Sequence, residues 1–362
     1  MTARHTAVIG AGIIGSLVAH EIVSRTSQAE SVTVLERDAV GGGASRRSAG
    51  LHLLRGGTER IREMSRASGE FYRKLAENRP SLPIYQLPDA SMVSSHQQSA
   101  EAIAAYLPQA ELTRLPALPN PDVRLPADVG VWRIDGCHQA DVSGVCLALS
   151  RELRSRVGYR EGVRVTSLES SDDGVLIGLS TGDRLAADRA VLAPGPWVHA
   201  PAWRELLAPL GIRVKKIVAL HVEQPPTERD RAIIFQNEDA FLIPLVNRGH
   251  WLFSYTCPEW DVDPDALHDG LSPAVLGEAR NLLSRLAPDL AEHATSGRVF
   301  CDAYSPDREP RVQALDEAGR IVFAGAANGS GYRLAPAIAS EAAGLLLKLP
   351  TLPPSTRPWS QS

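Results

Sequence analysis

An α/β fold interrupted by an antiparallel-sheet insertion is predicted by three observations. Near the N-terminus a short apolar strand runs into a G-x-G-x-x-G turn and a helix start, Ala7-Val8-Ile9-Gly10-Ala11-Gly12-Ile13-Ile14-Gly15. The same grammar returns near the C-terminus, from Val322-Phe323-Ala324-Gly325 through Gly329-Ser330-Gly331-Tyr332-Arg333-Leu334 to Ala335-Pro336. Between them, from about Gly211 to Glu259, the residues alternate apolar and polar, the signature of an antiparallel sheet. Two glycine turns so far apart suggest one large cofactor held between the chain ends. That favours FAD over a nicotinamide, which one pair of Rossmann units binds without C-terminal help.

The first turn has a mechanical reading. Gly10 permits the tight turn, Gly12 lets the backbone approach a pyrophosphate, and Gly15 lets the helix pack on the strand. The helix N-terminus then offers free N–H groups to the phosphates. Val32-Thr33-Val34-Leu35 is a second strand, closed by Glu36. Glu36 lies about 20 residues beyond the turn, where an acid accepts ribose hydroxyls and repels a 2′-phosphate.

The remaining elements follow in order. Thr58 to Leu75 has helical spacing and ends before Pro80 and Pro83. The stretch from about Pro80 to Gly136 is proline-rich, including Pro108, Pro116, Pro119, Pro121 and Pro126, with strand-like pieces at Ala90–Val93 and Gly130–Ile134. Asp141 to Arg156 is helical, with Val142, Val145, Leu149 and Leu153 on one stripe. Hairpin-like strands follow around Val163–Val165 and Gly174–Leu179, then a buried strand at Arg189–Ala193. Leu271 to Leu286 is a helix, with Ser272 as cap and Pro273 in first position. Ile321–Ala324 is the last strand and Pro336–Lys348 the last helix. The predicted division is an FAD-binding domain from 1–79, 137–210 and 300–350, a substrate domain from 80–136 and 211–299, and a loosely held tail at 351–362.

Composition narrows the function classes. With 362 residues the chain is too long for one simple core and suggests two domains. A net charge of −4 gives no reason to expect nucleic acid or an anionic membrane as partner. No apolar run is long enough to span a bilayer, and the N-terminus enters the first strand without a signal peptide. The four cysteines, Cys137, Cys146, Cys257 and Cys301, show no metal or redox spacing, so a cytoplasmic protein with reduced thiols and no metal site is expected.

At this point the chain resembles the FAD-dependent amine and amino-acid oxidases of the D-amino-acid oxidase superfamily, in the style of glycine oxidase and monomeric sarcosine oxidase. The resemblance rests on G-A-G-I-I-G, V-T-V-L-E-R, the loop Gly41 to Gly50, the A-P-G-P-W segment at Ala193–Trp197, and the C-terminal stretch around G-S-G-Y-R-L-A-P. It implies a non-covalently held FAD. The first turn, through Gly10, Gly12, Ile13, Ile14 and Gly15, would hold its pyrophosphate, and Glu36 with Arg37 its ribose. Ser45, Arg46, Ser48, Ala49 and Gly50 would lie along its phosphates and flavin. Val165, Gly195 and Trp197 are further expected contacts. Gly329, Ser330, Gly331, Tyr332, Arg333 and Leu334 would meet the pyrimidine edge, where a helix N-terminus favours negative charge.

For substrate, Arg333 is the leading candidate, because its planar fork matches a carboxylate. Tyr332 stands beside it. Arg62, in Thr58-Glu59-Arg60-Ile61-Arg62, resembles a second carboxylate-binding Arg of sarcosine oxidases. Arg308 occupies a slot that is often Gly in relatives. Phe241, Trp251 and Tyr255 are candidate pocket aromatics. The implied reaction passes hydride from a neutral amine to flavin N5, giving an imine, with O2 or another electron acceptor closing the cycle. Two departures stand out. His250-Trp251-Leu252-Phe253-Ser254 lacks the oxygen-activating Lys of sarcosine oxidases, and Cys301 lies only near the place where some relatives attach flavin. Alternatives are a flavin dehydrogenase using another acceptor, a hydroxy-acid oxidoreductase, a non-catalytic flavin subunit and an NAD dehydrogenase.

Overall fold

The protein is described by a computed structural model covering residues 4–26, 30–120, 123–125, 128–267, 270–350 and 353–354. Pro121, Pro126 and nearly all of the 351–362 tail lie outside the described residues.

The apolar runs of the sequence become a buried sheet. Its order is Arg311–Ala314, Ile321–Gly325, Arg189–Leu192, Arg4–Ile9, Glu30–Leu35 and Val157–Arg160. All neighbours are parallel except the Arg311–Ala314 edge. Parallel strands are covered on both faces, which is why they read as continuous apolar segments rather than alternating ones. Ile321–Gly325 is buried at every position. The helices Ile13–Arg25 and Gly331–Leu347 pack against each other on one face, joined by Glu59–Asn78. A three-stranded sheet, Val165–Ser171, Gly174–Leu179 and Arg184–Ala187, covers part of the other face.

The alternating segments form an eight-stranded sheet. Its order is Ala294–Tyr304, Arg213–Val222, His250–Trp260, Ala240–Leu245, Ala232–Phe235, Ala90–Ser95, Val129–Ile134 and Thr113–Leu115. Every pairing is antiparallel except one. Ala232–Phe235 runs parallel to Ala90–Ser95, and there the two separated stretches of chain meet.

Helix starts obey their capping residues. The Thr58 hydroxyl accepts from Ile61 N at 3.3 Å, the Asp141 carboxylate from Gly144 N at 3.2 Å, and the Ser272 hydroxyl from Val275 N at 3.3 Å. The last helix corrects the sequence reading. It begins at Gly331, not Pro336, and carries Pro336 inside it. A proline there cannot donate to the carbonyl four residues earlier. That carbonyl belongs to Tyr332, and the Tyr72 hydroxyl donates to it at 2.8 Å. A partner 260 positions away lets the helix run through the proline.

Candidate FAD and substrate site

A cavity of about 1260 Å³ lies between the C-terminal ends of the parallel strands and one face of the eight-stranded sheet. Both glycine turns open into it, and the crevice outside the carboxyl ends of such strands is where α/β sheets bind ligands.

At the first turn, packing decides which residues fit. Gly10 has φ +101°, and a Cβ there would overlap the Ala193 carbonyl oxygen. A Cβ on Gly15 would overlap the Gly10 carbonyl oxygen. Glu36 braces the turn: one carboxylate oxygen accepts from Ala11 N at 2.8 Å, the other from Asp38 N at 3.0 Å. Burial raises the Glu36 pKa, opposed by those two N–H groups. Each oxygen keeps a further lone pair for a hydroxyl donor. Ile13 N donates to the Ser45 hydroxyl at 3.0 Å, leaving the next N–H groups of the helix for a ligand.

Beyond Glu36 the cavity is closed by a clasp. Asp265, in the loop after the His250–Trp260 strand, accepts from Arg37 Nη2 at 2.7 Å and from Trp197 Nε1 at 2.8 Å. The Arg37 guanidinium lies 4.5 Å from the Trp197 ring centroid. All three line the cavity.

The second turn is held by side chains. Asn328 has φ +54° and Ala326 φ +49°, both left-handed without being glycine. Ser305 N donates to Asn328 Oδ1 at 3.0 Å, and Asn328 Nδ2 donates to Ala326 O at 2.8 Å. The Tyr332 ring stacks on Tyr72 at 4.5 Å, and its hydroxyl lies 3.0 Å from His138 Nε2. His138 has its pKa lowered by burial to about 3, so it is neutral and one ring nitrogen is free to accept.

Arg333 follows this turn and faces the cavity. Its Nη2 donates to the Ser330 hydroxyl at 2.6 Å, while its buried Nε has no hydrogen-bond partner among the described residues. Burial, and then the Arg55 guanidinium, pull its pKa down to about 10, so it stays charged at neutral pH. Arg55 also lines the cavity. It donates to Gln236 Oε1 at 2.9 Å and lies over the Tyr106 ring at 5.3 Å. Two guanidiniums therefore share one end of the cavity, and neither has an acidic partner among the described residues. Like charges held together without an anion are costly unless a ligand supplies one.

The other predicted residues divide. Gly12, Ile14, Arg37, Ser48, Ala49, Gly50, Val165, Gly195, Trp197, Gly329, Gly331, Tyr332 and Leu334 all border the cavity. Arg308 reaches its rim with φ +62°, left-handed backbone that glycine adopts without strain. Arg46 and Arg62 do not line the cavity; Arg62 Nη1 instead donates to Gly56 O at 3.3 Å. Phe241 faces it, whereas Trp251 and Tyr255, on the opposite face of their strand, are buried in the core behind the sheet. Arg55, Gln236, Asp265 and Asp302 were not singled out from the sequence. They lie in segments with no motif, and only the fold brings them to the cavity.

Fold and cavity together define a dinucleotide-dependent oxidoreductase. The chain belongs to the DAO family of FAD-dependent oxidoreductases, whose family profile matches residues 5–345. Glycine oxidase from Geobacillus kaustophilus has the same fold at 19% identity, with 96% of each chain covered and a TM-score of 0.78. L-proline dehydrogenase from P. horikoshii superposes with a TM-score of 0.80 at 17% identity, covering 96% of this chain and 95% of that one. Amadoriase I from Aspergillus fumigatus superposes at 0.77, with 17% identity and 96% and 87% covered. No curated protein sequence matches the chain. Among the described residues no helix is long and apolar enough to cross a membrane.

Proposed function

We propose that this enzyme oxidises the C–N bond of a small amino acid or N-substituted amino acid to an imine, using non-covalently bound FAD. The observation that carries the proposal is the pair Arg333 and Arg55, two cavity cations without a resident anion. They fit the α-carboxylate of an amino acid, which can accept from the terminal N–H groups of both forks.

The residues fit FAD. Gly12 and the helix start at Ile13 would take the pyrophosphate, Glu36 the ribose, and the Gly329–Gly331 turn the flavin. When bound, FAD supplies the two-electron acceptor for the substrate hydride. The protein's own residues do the rest. Arg333 and Arg55 would fix the carboxylate and thereby the α-carbon. Tyr72 and His138 hold Tyr332, and with it the turn that carries Arg333. Phe241, with Ile217 and Ala219, supplies apolar wall that excludes water. Non-covalent binding is supported by the cysteines: all four are buried, and none lines the cavity. Cys301 is packed in the core beside the three-stranded sheet.

Reoxidation by O2 is our first reading. Transfer to another acceptor is the second, favoured by the strand His250–Trp260, which presents Ser254 and no lysine to the cavity. The test is anaerobic bleaching of the flavin absorbance across a panel of amino, N-methyl amino and hydroxy acids, followed by air. Bleaching by an amine with recovery and peroxide is expected. Bleaching without recovery selects the dehydrogenase, and bleaching by hydroxy acids alone overturns C–N oxidation.

A further inference from the structure

Asp302 and Lys215 stand directly opposite each other on the paired strands Ala294–Tyr304 and Arg213–Val222, and both line the cavity. Opposed charges on one sheet face ordinarily pair. These do not. The Lys215 ammonium lies over the rings of Trp260 and Tyr304, 4.7 and 5.8 Å from their centroids. Among the described residues the Asp302 carboxyl has neither an ion pair nor a hydrogen bond, and burial alone raises its pKa to about 6.

Its position is at the C-terminal glycine turn. The point where a Cβ on Gly329 would lie is 3.1 Å from the Tyr304 hydroxyl and 3.9 Å from Asp302 Oδ2. The groups that set the charge state of Arg333 are Arg55 and Tyr106, not Asp302, so the carboxyl stands apart from the two-guanidinium end. Cys301, the next residue on the strand, points the other way into the core. The carboxyl is half-buried on the cavity wall without a partner among the described residues, so it is open to whatever fills the cavity.

We infer that the Asp302 carboxyl faces bound FAD and takes up a proton when the cofactor is reduced. Two electrons enter the flavin from the reductant, which is the substrate in turnover and dithionite in a titration. One proton from solvent forms the O–H bond on Asp302, besides any proton that the flavin itself acquires. The cause is electrostatic: added negative charge nearby raises a carboxyl pKa. Tyr304 and Cys301 on its own strand feel the Asp302 charge and Lys215 stands across from it, while Asp239 lies near Lys215 and Tyr304 and Arg308 near Lys215. Burial, Asp302 and Asp239 all raise the Tyr304 pKa, keeping that phenol neutral.

The inference rests on FAD binding and not on the substrate, so it is tested without substrate. The flavin midpoint potential of the holoenzyme would be measured against indicator dyes from about pH 5 to 8. At pH 5 and below Asp302 is mostly protonated in both redox states and adds little pH dependence. Above about pH 6, reduction draws in the extra proton. The potential of the native protein should therefore fall more steeply, by about 30 mV per pH unit for a two-electron couple. Asp302→Asn should lose this bend, matching the native potential at pH 5 and exceeding it at pH 8. Asp302→Glu should keep a bend at a displaced pH, and it serves if the Asn variant holds no FAD. The same profile in native protein and Asp302→Asn, or a constant offset between them at every pH, overturns the inference.

Discussion

The turn at Gly10–Gly15 is shaped by missing side chains, whereas the turn at Gly325–Gly331 is shaped by side chains that arrive from elsewhere. In the first, a Cβ on Gly10 or Gly15 would meet backbone oxygen. In the second, two non-glycine residues hold left-handed backbone, fixed by Ser305, while Tyr72 and His138 fix the residue just beyond. Left-handed backbone in non-glycine residues costs free energy and persists only where its surroundings over-determine it. The first turn is therefore sensitive to added atoms, and the second to lost partners. The carboxylate anchor sits on the second.

Adding atoms to the first turn should have the largest effect. Gly15→Val should leave little folded holoprotein, read as loss of bound flavin absorbance and of a cooperative thermal transition. Gly15→Ala should still cost roughly 1–3 kcal/mol. A native melting curve for Gly15→Val would break the contrast.

Next comes the anchor. Arg333→Leu should lower kcat/KM for a carboxylated substrate by about a hundredfold or more, since truncating one member of a buried charged contact costs about 2–5 kcal/mol. Flavin content should not change. An equal loss on an amine lacking a carboxylate would remove Arg333 from substrate binding.

Removing a distant support is a smaller perturbation. Tyr72→Phe leaves the Tyr332 carbonyl buried without a donor, which should cost roughly 1–3 kcal/mol of stability. KM for the carboxylated substrate should rise with it, because the same turn carries Arg333. Unchanged stability would mean that Pro336 needs no replacement donor.

The smallest effect is expected at the clasp. Asp265 is 40% exposed, and exposed ion pairs contribute about 1 kcal/mol or less. Asp265→Ala should weaken FAD binding to the apoprotein only a few-fold, with kcat unchanged at saturating FAD. A hundredfold weakening would show that the clasp, not the glycine turn, dominates cofactor retention.

The sequence was legible where chemistry is local. Gly10, Gly12, Gly15 and Glu36 announce themselves by spacing, and Arg333 by following a glycine turn. The cap read at Ser272 likewise bonds three residues on. Legibility ended where a partner comes from another part of the chain. The start of the last helix was misplaced because Pro336 is tolerated only through Tyr72. Arg55 and Gln236 were missed because neither lies in a motif, and they meet across a gap of 181 positions. Asp302 was passed over for Cys301, since the alternation of that strand decides which of the two neighbours faces the cavity.

The one parallel seam in the large sheet, Ala232–Phe235 against Ala90–Ser95, carries a consequence for assembly. Ala232–Phe235, Ala240–Leu245 and His250–Trp260 can form hairpins locally, but the seam must wait for most of the intervening chain to be in place. Closing so long a loop is entropically slow, and parallel pairing offers no turn to nucleate it. The wall behind the cavity should therefore close late in folding. Pulse-labelled hydrogen exchange would show Ile233 and Ile234 amides protected after those of Ala7 and Val8, and the reverse order would refute this.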